Sequence, residues 1–561
     1  MSQDRPWYAA YPEGMAREID VTEYVSLPDM VARSIRKFGD SEAFVNMGVS
    51  ITFNDVDRLS RDFAAYLTTG LGLKRGDRFA IQMPNLLQYP IAVFGALRAG
   101  LVVVNTNPLY TPRELKHQLQ DSGTKAILVV ENFASVLQEV VADTDVEHVI
   151  VTGVGDLLGS IKGPVVNFAV KYVKKMVPKY SLPEAIPFKT TLKKGKSMSL
   201  EEPSLCRDDI ALLQYTGGTT GVAKGAVLTQ GNVIANMQQT LAYMSAGNLV
   251  ENKEVMVTAL PIYHIFSFTV NLMAMFSYGQ KNVLITNPRD LDAFLKDMSK
   301  YAPTVLTGVN TLFNHMMSHP GFEKVNFSGL KVTVGGGMAV QEHVAIRWKE
   351  MTGCYLSEGY GLTEASPVVS CQPLNGNGKV GTIGLPFPST DVKIVSDEGE
   401  TLSTGEVGEL LVKGPQVMRE YWKRPDETKD VFSEDGWLKT GDMAKIDSEG
   451  YVTIVDRKKE MINVSGFNVY PNEVEDVVSS HPGVFEVGAI GVPNERSTEV
   501  VKIYVVKKDP SLTKEELRKY CKKQLTAYKV PKEVEFVDEL PKSNVGKILR
   551  RKLKEMDAKS R

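Results

Sequence analysis

Cysteine is scarce in this sequence, with four residues in a chain of 561. They lie far apart, and none forms a Cys-x-x-Cys pair with another. A disulfide framework needs more cysteines in a shorter chain, and a zinc knuckle needs them in close pairs. The sequence therefore indicates neither, and it is typical of a protein from a reducing cytoplasm. The four residues are Cys206, Cys354, Cys371 and Cys521.

Long apolar runs and an excess of one charge are also missing. The longest apolar candidate, residues 91–104, is interrupted by Arg98 and two glycines, whereas a membrane span needs about 18 apolar residues. The first residues start no apolar signal core. The formal net charge of −2 gives no overall field that favours nucleic acid. We therefore expect a cytoplasmic protein with no nucleic-acid partner, in which residues 91–104 form a buried helix that enters a strand.

The sequence has two regions that differ in their pattern of apolar residues and turn signals. Before about Pro386, helical patterns such as 27–38 alternate with short apolar runs such as 79–83 and 255–258, which favours helix-covered parallel sheets. After it, turn signals crowd together between short alternating strands, which predicts a small antiparallel region. The length requires at least two domains.

The predicted fold class is therefore α/β. A large N-terminal domain, residues 1–456, contains two mostly parallel, helix-covered sheets and a small antiparallel β subdomain at 386–456. A small, mobile α+β cap domain at the C-terminus covers residues 457–561.

A basic amphipathic segment stands apart at residues 160–184. Apolar residues recur there at helical spacing, with Lys171, Lys174, Lys175 and Lys179 among them. Such a helix can lie on an anionic membrane surface. It can equally be a solvated surface helix or one that packs on the main domain, and the sequence leaves these alternatives open.

The segment 215–225, Tyr-Thr-Gly-Gly-Thr-Thr-Gly-Val-Ala-Lys-Gly, is the most informative part of the chain. Glycines let backbone N–H groups approach an anion, threonine hydroxyls donate to phosphate oxygens or ligate Mg²⁺, and the lysine adds a positive charge. The segment does not match the P-loop, because Gly225 follows Lys224 where that motif has Ser or Thr. It predicts a cradle for a nucleoside triphosphate.

A second motif, residues 357–364, reads Ser-Glu-Gly-Tyr-Gly-Leu-Thr-Glu. Tyr360 lies between two glycines, where its ring is free to offer a face to a purine. Thr363 and Glu364 supply a hydroxyl and a carboxylate, and Mg²⁺ prefers such hard oxygen ligands. The motif predicts a purine and magnesium site.

Two further motifs are less specific by themselves. His264 lies among aromatic residues after a strand, where a core histidine is the more common case. Three glycines at 335–337 end another strand, which indicates either close approach by another group or a tight strand-to-helix turn.

Five motif blocks, in this order, resemble those of the adenylate-forming superfamily. Its members are acyl-CoA synthetases, firefly-type luciferases and the adenylation domains of non-ribosomal peptide synthetases. The fourth and fifth blocks add a Gly-Phe-Asn loop and a flexible Gly-Lys loop to the motifs above. The block 435–459 resembles the signature of fatty-acyl-CoA synthetases within the superfamily. The blocks are 215–225, 357–364, 435–459, 464–475 and 541–550.

The resemblance implies an ATP site with Mg²⁺. Thr216 and Glu364 would hold the metal, Tyr360 would stack on adenine, and Asp442 and Arg457 would hold the ribose. The nucleotide-binding residues that it implies are Thr216, Gly217, Gly218, Thr219, Thr220, Gly221, Lys224, Gly336, Glu358, Gly359, Tyr360, Gly361, Thr363, Glu364, Asp442 and Arg457.

The resemblance also implies two poses of the C-terminal domain. In one, Lys547 bridges the substrate carboxylate and the α-phosphate of ATP. The domain then rotates at a hinge near Lys459, which brings the CoA-tunnel residues to the site. These tunnel residues are Gly466, Phe467 and Asn468.

The implied reaction joins a fatty acid to CoA through an acyl-adenylate. The catalytic residues that the resemblance implies are Lys547, Thr216, Glu364 and His264. A long acyl tail needs an apolar pocket, for which motif adjacency suggests Phe266, Val309, Phe313 and Met338. The expected partners are a long-chain fatty acid, ATP and CoA, with peripheral contact at the inner face of a membrane through residues 161–179 and a homodimer left open.

Three alternatives remain. A medium-chain or aryl acid–CoA ligase would need a shorter pocket. An acyl-AMP ligase that feeds a carrier protein would carry an insertion that hampers rotation, and no extra segment is evident between Asp442 and Gly466. A catalytically inactive ATP-binding or membrane-scaffold protein is disfavoured, because the set of chemically active residues is intact.

Overall fold

The largest sheet has nine strands and is mostly parallel. The computed structural model describes residues 5–216, 223–465, 467–494, 497–543 and 546–560. The strand order in this sheet is β16-β15-β14-β13-β12-β10-β11-β1-β2, with antiparallel pairs at its two ends. Its strands are β1 (Glu42–Asn46), β2 (Val49–Thr52), β10 (Val255–Thr258), β11 (Lys281–Leu284), β12 (Val305–Gly308), β13 (Val332–Gly336), β14 (Leu356–Gly361), β15 (Val368–Cys371) and β16 (Leu385–Pro386).

A second sheet has eight strands and is also mostly parallel. Its order is β19-β9-β8-β4-β3-β5-β6-β7, and the pairs β8–β9 and β9–β19 are antiparallel. Its strands are β3 (Arg78–Gln82), β4 (Val102–Thr106), β5 (Thr124–Val130), β6 (His148–Thr152), β7 (Ile186–Pro187), β8 (Ile210–Thr216), β9 (Lys224–Thr229) and β19 (Glu420–Tyr421).

Two smaller sheets follow along the chain. An antiparallel sheet of order β17-β18-β20-β21 comprises β17 (Asp391–Val395), β18 (Gly408–Lys413), β20 (Leu438–Ile446) and β21 (Val452–Arg457). The last sheet comprises β22 (Ile462–Val464), β23 (Phe467–Val469), β24 (Val484–Asn494), β25 (Thr498–Lys507) and β26 (Glu533–Phe536).

Helices cover the sheets, and several begin at caps that the sequence encodes. Thr52, Thr111 and Thr229 each accept from the backbone N–H three residues on, while that residue's side chain accepts in return; such capping boxes satisfy otherwise unpaired helix donors. The α-helices are α1 (Leu27–Phe38), α2 (Phe53–Ala65), α3 (Gln88–Arg98), α4 (Pro112–Ser122), α5 (Ala134–Val140), α6 (Lys162–Phe168), α7 (Phe188–Gly195), α8 (Gln230–Met244), α9 (Met275–Ser277), α10 (Leu291–Tyr301), α11 (Asn310–Ser318), α12 (Glu342–Thr352), α13 (Pro425–Val431), α14 (Pro471–Ser479), α15 (Lys514–Gln524) and α16 (Arg550–Ser560).

The main core fills the space between the two large sheets. Phe276 packs there against Phe44, Phe53 and Phe94, with ring centroids 4.5–5.9 Å apart. Helix α3 is buried and leads into β4, as predicted for residues 91–104. Within the described residues, no helix has both the length and the apolar character needed to cross a membrane.

The predicted fold class is confirmed. Two mostly parallel sheets carry helices, a small antiparallel sheet follows, and a small α+β unit ends the chain. The domain boundary after residue 456 and the mobility of the C-terminal domain stay predictions. Strand β21 ends at Arg457 and β22 begins at Ile462, so the predicted hinge residue Lys459 lies in the short connection between them.

Candidate active site

A cavity of about 1380 Å³ opens where the C-terminal domain covers the large sheets. Its lining includes residues at the carboxyl ends of β8, β13 and β14, residues of β20 and β21, and the C-terminal residues 547–552. In open α/β sheets, ligand sites form at the carboxyl ends of the parallel strands. The cavity is therefore the candidate active site.

The base of the predicted phosphate cradle lies at one edge of this cavity. Thr216 ends β8 and Lys224 begins β9, and the two residues face each other in the antiparallel pair. Both line the cavity. The cradle residues Gly217, Gly218, Thr219, Thr220 and Gly221 lie outside the described residues.

A carboxylate, a phenol and an ammonium group meet beside the cradle base. The hydroxyl of Tyr421 donates to Glu364 Oε1 at 2.5 Å. The Nζ atom of Lys224 lies 5.2 Å from the centre of the Tyr421 ring, within range of a cation–π contact. Glu364 follows Thr363 on a single 3₁₀ turn, Thr363–Ala365, which places the hydroxyl and the carboxylate of the second motif at the cavity wall.

Asp442 joins the second and third motifs. It accepts a hydrogen bond of 2.5 Å from the Tyr360 hydroxyl and lies 3.3 Å from the Nε atom of Arg457. Strands β20 and β21 pair Asp442 directly with Arg457. Burial raises the pKa of Asp442, and the Arg457 charge acts against that rise. The arrangement holds the Tyr360 ring and the carboxylate in fixed positions at the wall of the cavity.

Lys547 reaches into the same place from the C-terminal domain. Burial, and next the nearby Arg457 charge, lower the pKa of the Lys547 ammonium to about 8, although Asp442, Glu460 and Glu364 act in the opposite direction. An ammonium group can therefore gain or lose its proton near neutral pH at the centre of the cavity.

His264 lies near Lys547. Burial, and next the Lys547 charge, lower the pKa of the imidazole to about 4. The histidine is therefore neutral at pH 7, and the group can accept a proton or a hydrogen bond there. Burial also raises the pKa of Glu358 to about 8, so this second cavity carboxyl carries a proton at neutral pH.

Glycines bring backbone close to these groups. A Cβ atom at Gly336 would lie 3.0 Å from the Phe266 ring and 3.2 Å from the carbonyl oxygen of Gly359. At Gly361 it would lie 2.3 Å from the carbonyl oxygen of Pro367. The first contact agrees with the close approach expected from the three glycines at 335–337.

The residues predicted for the CoA tunnel lie elsewhere in this pose. Phe467 and Asn468 form part of β23 and are exposed, and the Phe467 ring stacks on Tyr528 with centroids 4.7 Å apart. Gly466 lies outside the described residues. Lys459, in contrast, lines the cavity.

The four predicted acyl-pocket residues divide into three locations. Phe266 and Met338 line the cavity. Val309 flanks it, because a Cβ atom at Gly546 would lie 3.2 Å from its side chain. Phe313 packs against Trp348 in a neighbouring core, with ring centroids 4.8 Å apart.

Sequence reasoning missed several lining residues. Tyr421 comes from a two-residue strand between motifs, and no spacing signal marks it. The apolar end of the cavity comes from segments with no motif at all, because burial beside a cavity leaves no local pattern in sequence. These apolar residues are Tyr243, Met244, Val270, Leu374 and Phe387.

The class of protein follows from comparison with known families. Residues 31–422 match the family described as AMP-binding enzyme, and residues 473–547 match the AMP-binding enzyme C-terminal domain. The chain belongs to the AMP-binding enzyme family.

Individual relatives extend over the whole chain. The sequence is 57% identical over 550 residues to a long-chain-fatty-acid–CoA ligase of Escherichia coli O6:H1, covering 98% of each chain. It is 53% identical over 560 residues to a long-chain-fatty-acid–CoA ligase of Haemophilus influenzae, covering 100% of this chain and 99% of the relative. The crystal structure of the anthranilate CoA ligase AuaEII in complex with anthranoyl-AMP shares the fold, with a TM-score of 0.85 at 24% identity over 97% of this chain and 99% of that one.

Proposed function

We propose that this protein is an ATP-dependent long-chain-fatty-acid–CoA ligase. It converts a fatty acid, ATP and CoA into acyl-CoA, AMP and pyrophosphate, and so activates fatty acids for β-oxidation and lipid metabolism. The observation that carries the proposal is the Lys547 ammonium beside the Asp442–Arg457 pair, in a cavity that continues into an apolar end. The full-length similarity to ligases of that name supports the choice of substrate.

In the first half-reaction, a carboxylate oxygen of the fatty acid attacks the α-phosphorus of ATP. A bond forms between the carboxylate oxygen and the α-phosphorus. The bond between the α-phosphorus and the oxygen that bridges to the β-phosphorus breaks, and pyrophosphate leaves. Two anions must approach each other, so a fixed cation between them lowers the barrier. Lys547 supplies this cation, and Lys224 with Thr216 faces the β- and γ-phosphates.

The Asp442 carboxylate orients the nucleotide. It accepts from the ribose hydroxyls beside Arg457, while Tyr360, held by its own hydrogen bond to Asp442, offers its ring to adenine. Gly359 and Gly361, its neighbours in the chain, carry no side chains that could cover that ring. Thr363 would contact a phosphate group of the nucleotide. Binding of the nucleotide at both ends holds the α-phosphorus in line for attack.

Magnesium fits this set of residues. Glu364 offers a carboxylate and Thr216 a hydroxyl, and Mg²⁺ usually takes only one or two protein ligands when it binds with substrate phosphates. Within the ranges that the structure describes, no group of three or more His, Cys, Asp or Glu side chains forms a metal cluster. When bound, the ion would neutralise phosphate charge.

In the second half-reaction the CoA sulfur attacks the acyl carbonyl and AMP leaves. The C-terminal domain would rotate at Lys459, so that Lys547 departs and the segment 466–468 arrives. The exposed position of Phe467 and Asn468 in the present pose supports this order of events. The neutral His264 ring would lie near the path of the thiol, where it can take part in a hydrogen bond.

The acyl chain would occupy the apolar end of the cavity, beyond Phe266 and Met338. Tyr243 and Phe387 stack there with ring centroids 4.6 Å apart, and Leu374 lies next along the wall. A mostly apolar cavity binds a long chain by removing its methylenes from water, at about 0.8 kcal/mol each.

We also propose that helix α6 with its continuation attaches the protein to an anionic membrane surface. Ile161, Val165, Phe168 and Tyr172 follow helical spacing on one face and are each more than half exposed to solvent. Lys174, Lys175 and Lys179 are exposed on the same segment. Lys171 is half-buried there, with its Nζ atom 3.6 Å from Glu131 Oε2. Apolar side chains enter the interface while lysines attract anionic lipid.

Formation of AMP tests the enzymatic proposal. Purified protein is given MgATP and fatty acids from short to long, with and without CoA. We expect CoA-dependent turnover that rises toward long chains. Acyl-adenylate that accumulates without use of CoA would indicate a carrier-dependent acyl-AMP ligase, a preference for short or aromatic acids would indicate the medium-chain or aryl alternative, and absence of AMP would contradict the proposal outright.

A further inference from the structure

Asp456 is a buried carboxylate that none of the roles above uses. It lies on β21 immediately before Arg457, and its side chain is 0% exposed. Successive residues of a strand point to opposite faces. Arg457 therefore pairs with Asp442, whereas Asp456 contacts helix α14 of the C-terminal domain. Both residues contribute to the lining of the cavity.

Asp456 caps that helix from outside it. The N-cap residue of α14, Tyr470, makes no side-chain capping hydrogen bond. Instead the backbone N–H of Asn472 donates to Asp456 Oδ2 at 2.8 Å. The first turn of a helix carries unpaired N–H groups and partial positive charge, so a carboxylate there is stabilising.

Arg550 reaches the same carboxylate from helix α16. Its Nη1 atom lies 3.4 Å from Asp456 Oδ1. Its Nε and Nη2 atoms donate to the two oxygens of Glu475 at 3.0 and 2.7 Å, and it also donates to Glu460 and to Asn472 Oδ1. This bidentate geometry fixes the guanidinium group tightly.

The predicted hinge at Lys459 sorts these partners into two groups. Glu460, Asn472 and Glu475 follow the hinge and move together with Arg550. Asp456 precedes it and stays with the large domain. Rotation would therefore break both contacts of Asp456 with the C-terminal domain and leave the other contacts of Arg550 intact.

Arg550 also lies three residues after Lys547, on the segment that enters the cavity. This segment and its neighbours also contact α11, where His315 Nε2 lies 3.9 Å from Glu486 Oε1. Thr311 donates to the carbonyl oxygen of Gly546 at 3.2 Å, and Asn314 donates to that of Phe485 at 3.3 Å. The buried, charge-assisted contact of Asp456 is better suited to hold the pose.

We propose that Asp456 is the positioning residue that docks the C-terminal domain for adenylation, by capping helix α14 and pairing with Arg550 across the hinge. The proposal rests on the proposed function, because it needs two half-reactions in two poses. It adds a reason why the domain stops rotating where Lys547 meets the α-phosphate.

The charges around Arg550 make a clean test available. One guanidinium faces three carboxylates, Asp456, Glu460 and Glu475, and burial raises the pKa of Asp456 to about 6. Asparagine at 456 keeps an oxygen acceptor for the Asn472 N–H but removes one of these negative charges. Arg550 keeps two carboxylate partners, so the fold should tolerate Asp456→Asn.

The experiment measures each half-reaction separately in the full chain. With Asp456→Asn we expect acyl-adenylate formation to slow about tenfold, the change that a shift of about 1.4 kcal/mol in the docking equilibrium produces. Thioester formation from supplied acyl-adenylate should stay within about twofold of wild type, since that pose does not use the contact. The melting temperature is recorded alongside.

Lys458→Gln is the matched control. Lys458 is next to the hinge but pairs with Asp397 and Glu409, which both precede the hinge, at 2.7 and 3.4 Å. The Lys458→Gln variant should leave the ratio of the rates of the two half-reactions unchanged. A parallel fall of both half-reactions in Asp456→Asn, or no change in either, would overturn the docking role.

A double variant tests the pairing itself. The Arg550→Lys variant keeps the positive charge but loses the planar guanidinium group that donates to several oxygens at once. It should slow adenylation in the same way as Asp456→Asn. The combined variant should be no slower than Arg550→Lys alone, because that variant has already lost the contact that Asp456→Asn removes. Losses that multiply would overturn the pairing. Wild-type protein that fails either half-reaction would contradict the proposed function instead.

Discussion

The Lys547 ammonium is surrounded by one cation, Arg457, and by the carboxylates of Asp442, Glu460 and Glu364. Burial outweighs the attraction of these carboxylates, and the pKa of the lysine falls to about 8. Substrate phosphates would reverse that balance by adding negative charge beside the ammonium. The residue is therefore most strongly cationic when ATP is present, which is when adenylation needs it.

Replacement of this lysine should separate the two half-reactions. In Lys547→Ala we expect acyl-adenylate formation to fall about 10²–10³-fold, the cost of removing one fixed electrostatic group. Thioester formation from supplied acyl-adenylate should survive. Release of pyrophosphate and formation of acyl-CoA are measured separately, with the exposed Lys559→Ala as control. Equal loss of both activities would contradict the assigned role.

The same residue predicts a pH dependence. The folded pKa of Lys547 lies below that of an ordinary lysine, so rising pH removes the proton and the positive charge. We expect kcat/KM for adenylation, which reports the free enzyme, to fall as pH rises through about 8. The thioester half-reaction should lack this fall. A matching fall in both half-reactions, or one only near the usual lysine value of about 10.4, would count against the assignment.

Among the secondary-structure elements, those with a strong local signal were predictable from sequence. Helix α1 and strand β10 have the predicted bounds, because apolar spacing, caps and β-branched runs determine them locally. The chain after Phe53 forms α2 and then a π-helical turn at Tyr66–Gly70.

The site was predictable where chemistry concentrates in a motif, as for Asp442, Arg457 and Lys547, although their assigned roles stay predictions. It was not predictable where tertiary packing decides. Phe313 lies near a motif in the sequence, which suggests a place in the acyl pocket, yet its side chain packs on Trp348. Leu374 and Tyr421 reach the cavity from segments without any pattern. Only the fold brings them there.

The apolar end of the cavity should set the chain-length preference. Leu374 is buried and lines it, so Leu374→Trp fills space that the distal methylenes of a long chain would occupy. We expect kcat/KM for palmitate to fall at least about tenfold relative to octanoate, since each excluded methylene forfeits about 0.8 kcal/mol.

Leu374→Met is the volume-matched control and should leave the preference unchanged. Competition between the two acids in one reaction measures the ratio directly. An unaltered ratio in Leu374→Trp would exclude this end of the cavity as the acyl site.

Helix α6 and its continuation should bind anionic vesicles through charge as well as apolar contact. We expect the triple variant Lys171→Glu, Lys174→Glu, Lys175→Glu to lose at least about tenfold in affinity for phosphatidylserine vesicles, because each lysine near such a surface contributes about 1 kcal/mol. Co-sedimentation measures the loss.

The control reverses three exposed lysines in and beside α7: Lys193→Glu, Lys194→Glu, Lys196→Glu. It changes net charge by the same amount at another surface and should bind normally. If the α6 variant binds vesicles as wild type does, the membrane proposal is wrong.

Across the whole molecule, one short connection between β21 and β22 joins the two predicted domains, and both line one cavity. Strands β20 and β21 supply Asp442 and Arg457, and the segment before α16 supplies Lys547. Two of the residues predicted to contact CoA, Phe467 and Asn468, are exposed and do not line the cavity in this pose. One cavity can then serve two reactions only if the smaller domain turns.

Restriction of the hinge should therefore stop the second reaction alone. Proline fixes φ near −65°, so Lys459→Pro should hold the domain in few orientations. We expect thioester formation to fall by at least about tenfold while adenylation proceeds, as for other hinge-limited steps. The Lys459→Ala variant, which does not restrict φ at this position, should catalyse both half-reactions. Normal acyl-CoA formation by the proline variant would show that the hinge lies elsewhere.

The nucleotide end and the apolar end of the cavity are one continuous space. A single molecule that joins adenosine to a fatty chain through a stable sulfamate would therefore occupy both at once and leave no product to release. Its adenosine half would meet residues such as Asp442, which lies in a motif block that resembles those of the whole superfamily, whereas its tail would meet Tyr243, Leu374 and Phe387. Selectivity in an inhibitor of this enzyme is thus to be sought in the tail rather than in the nucleoside.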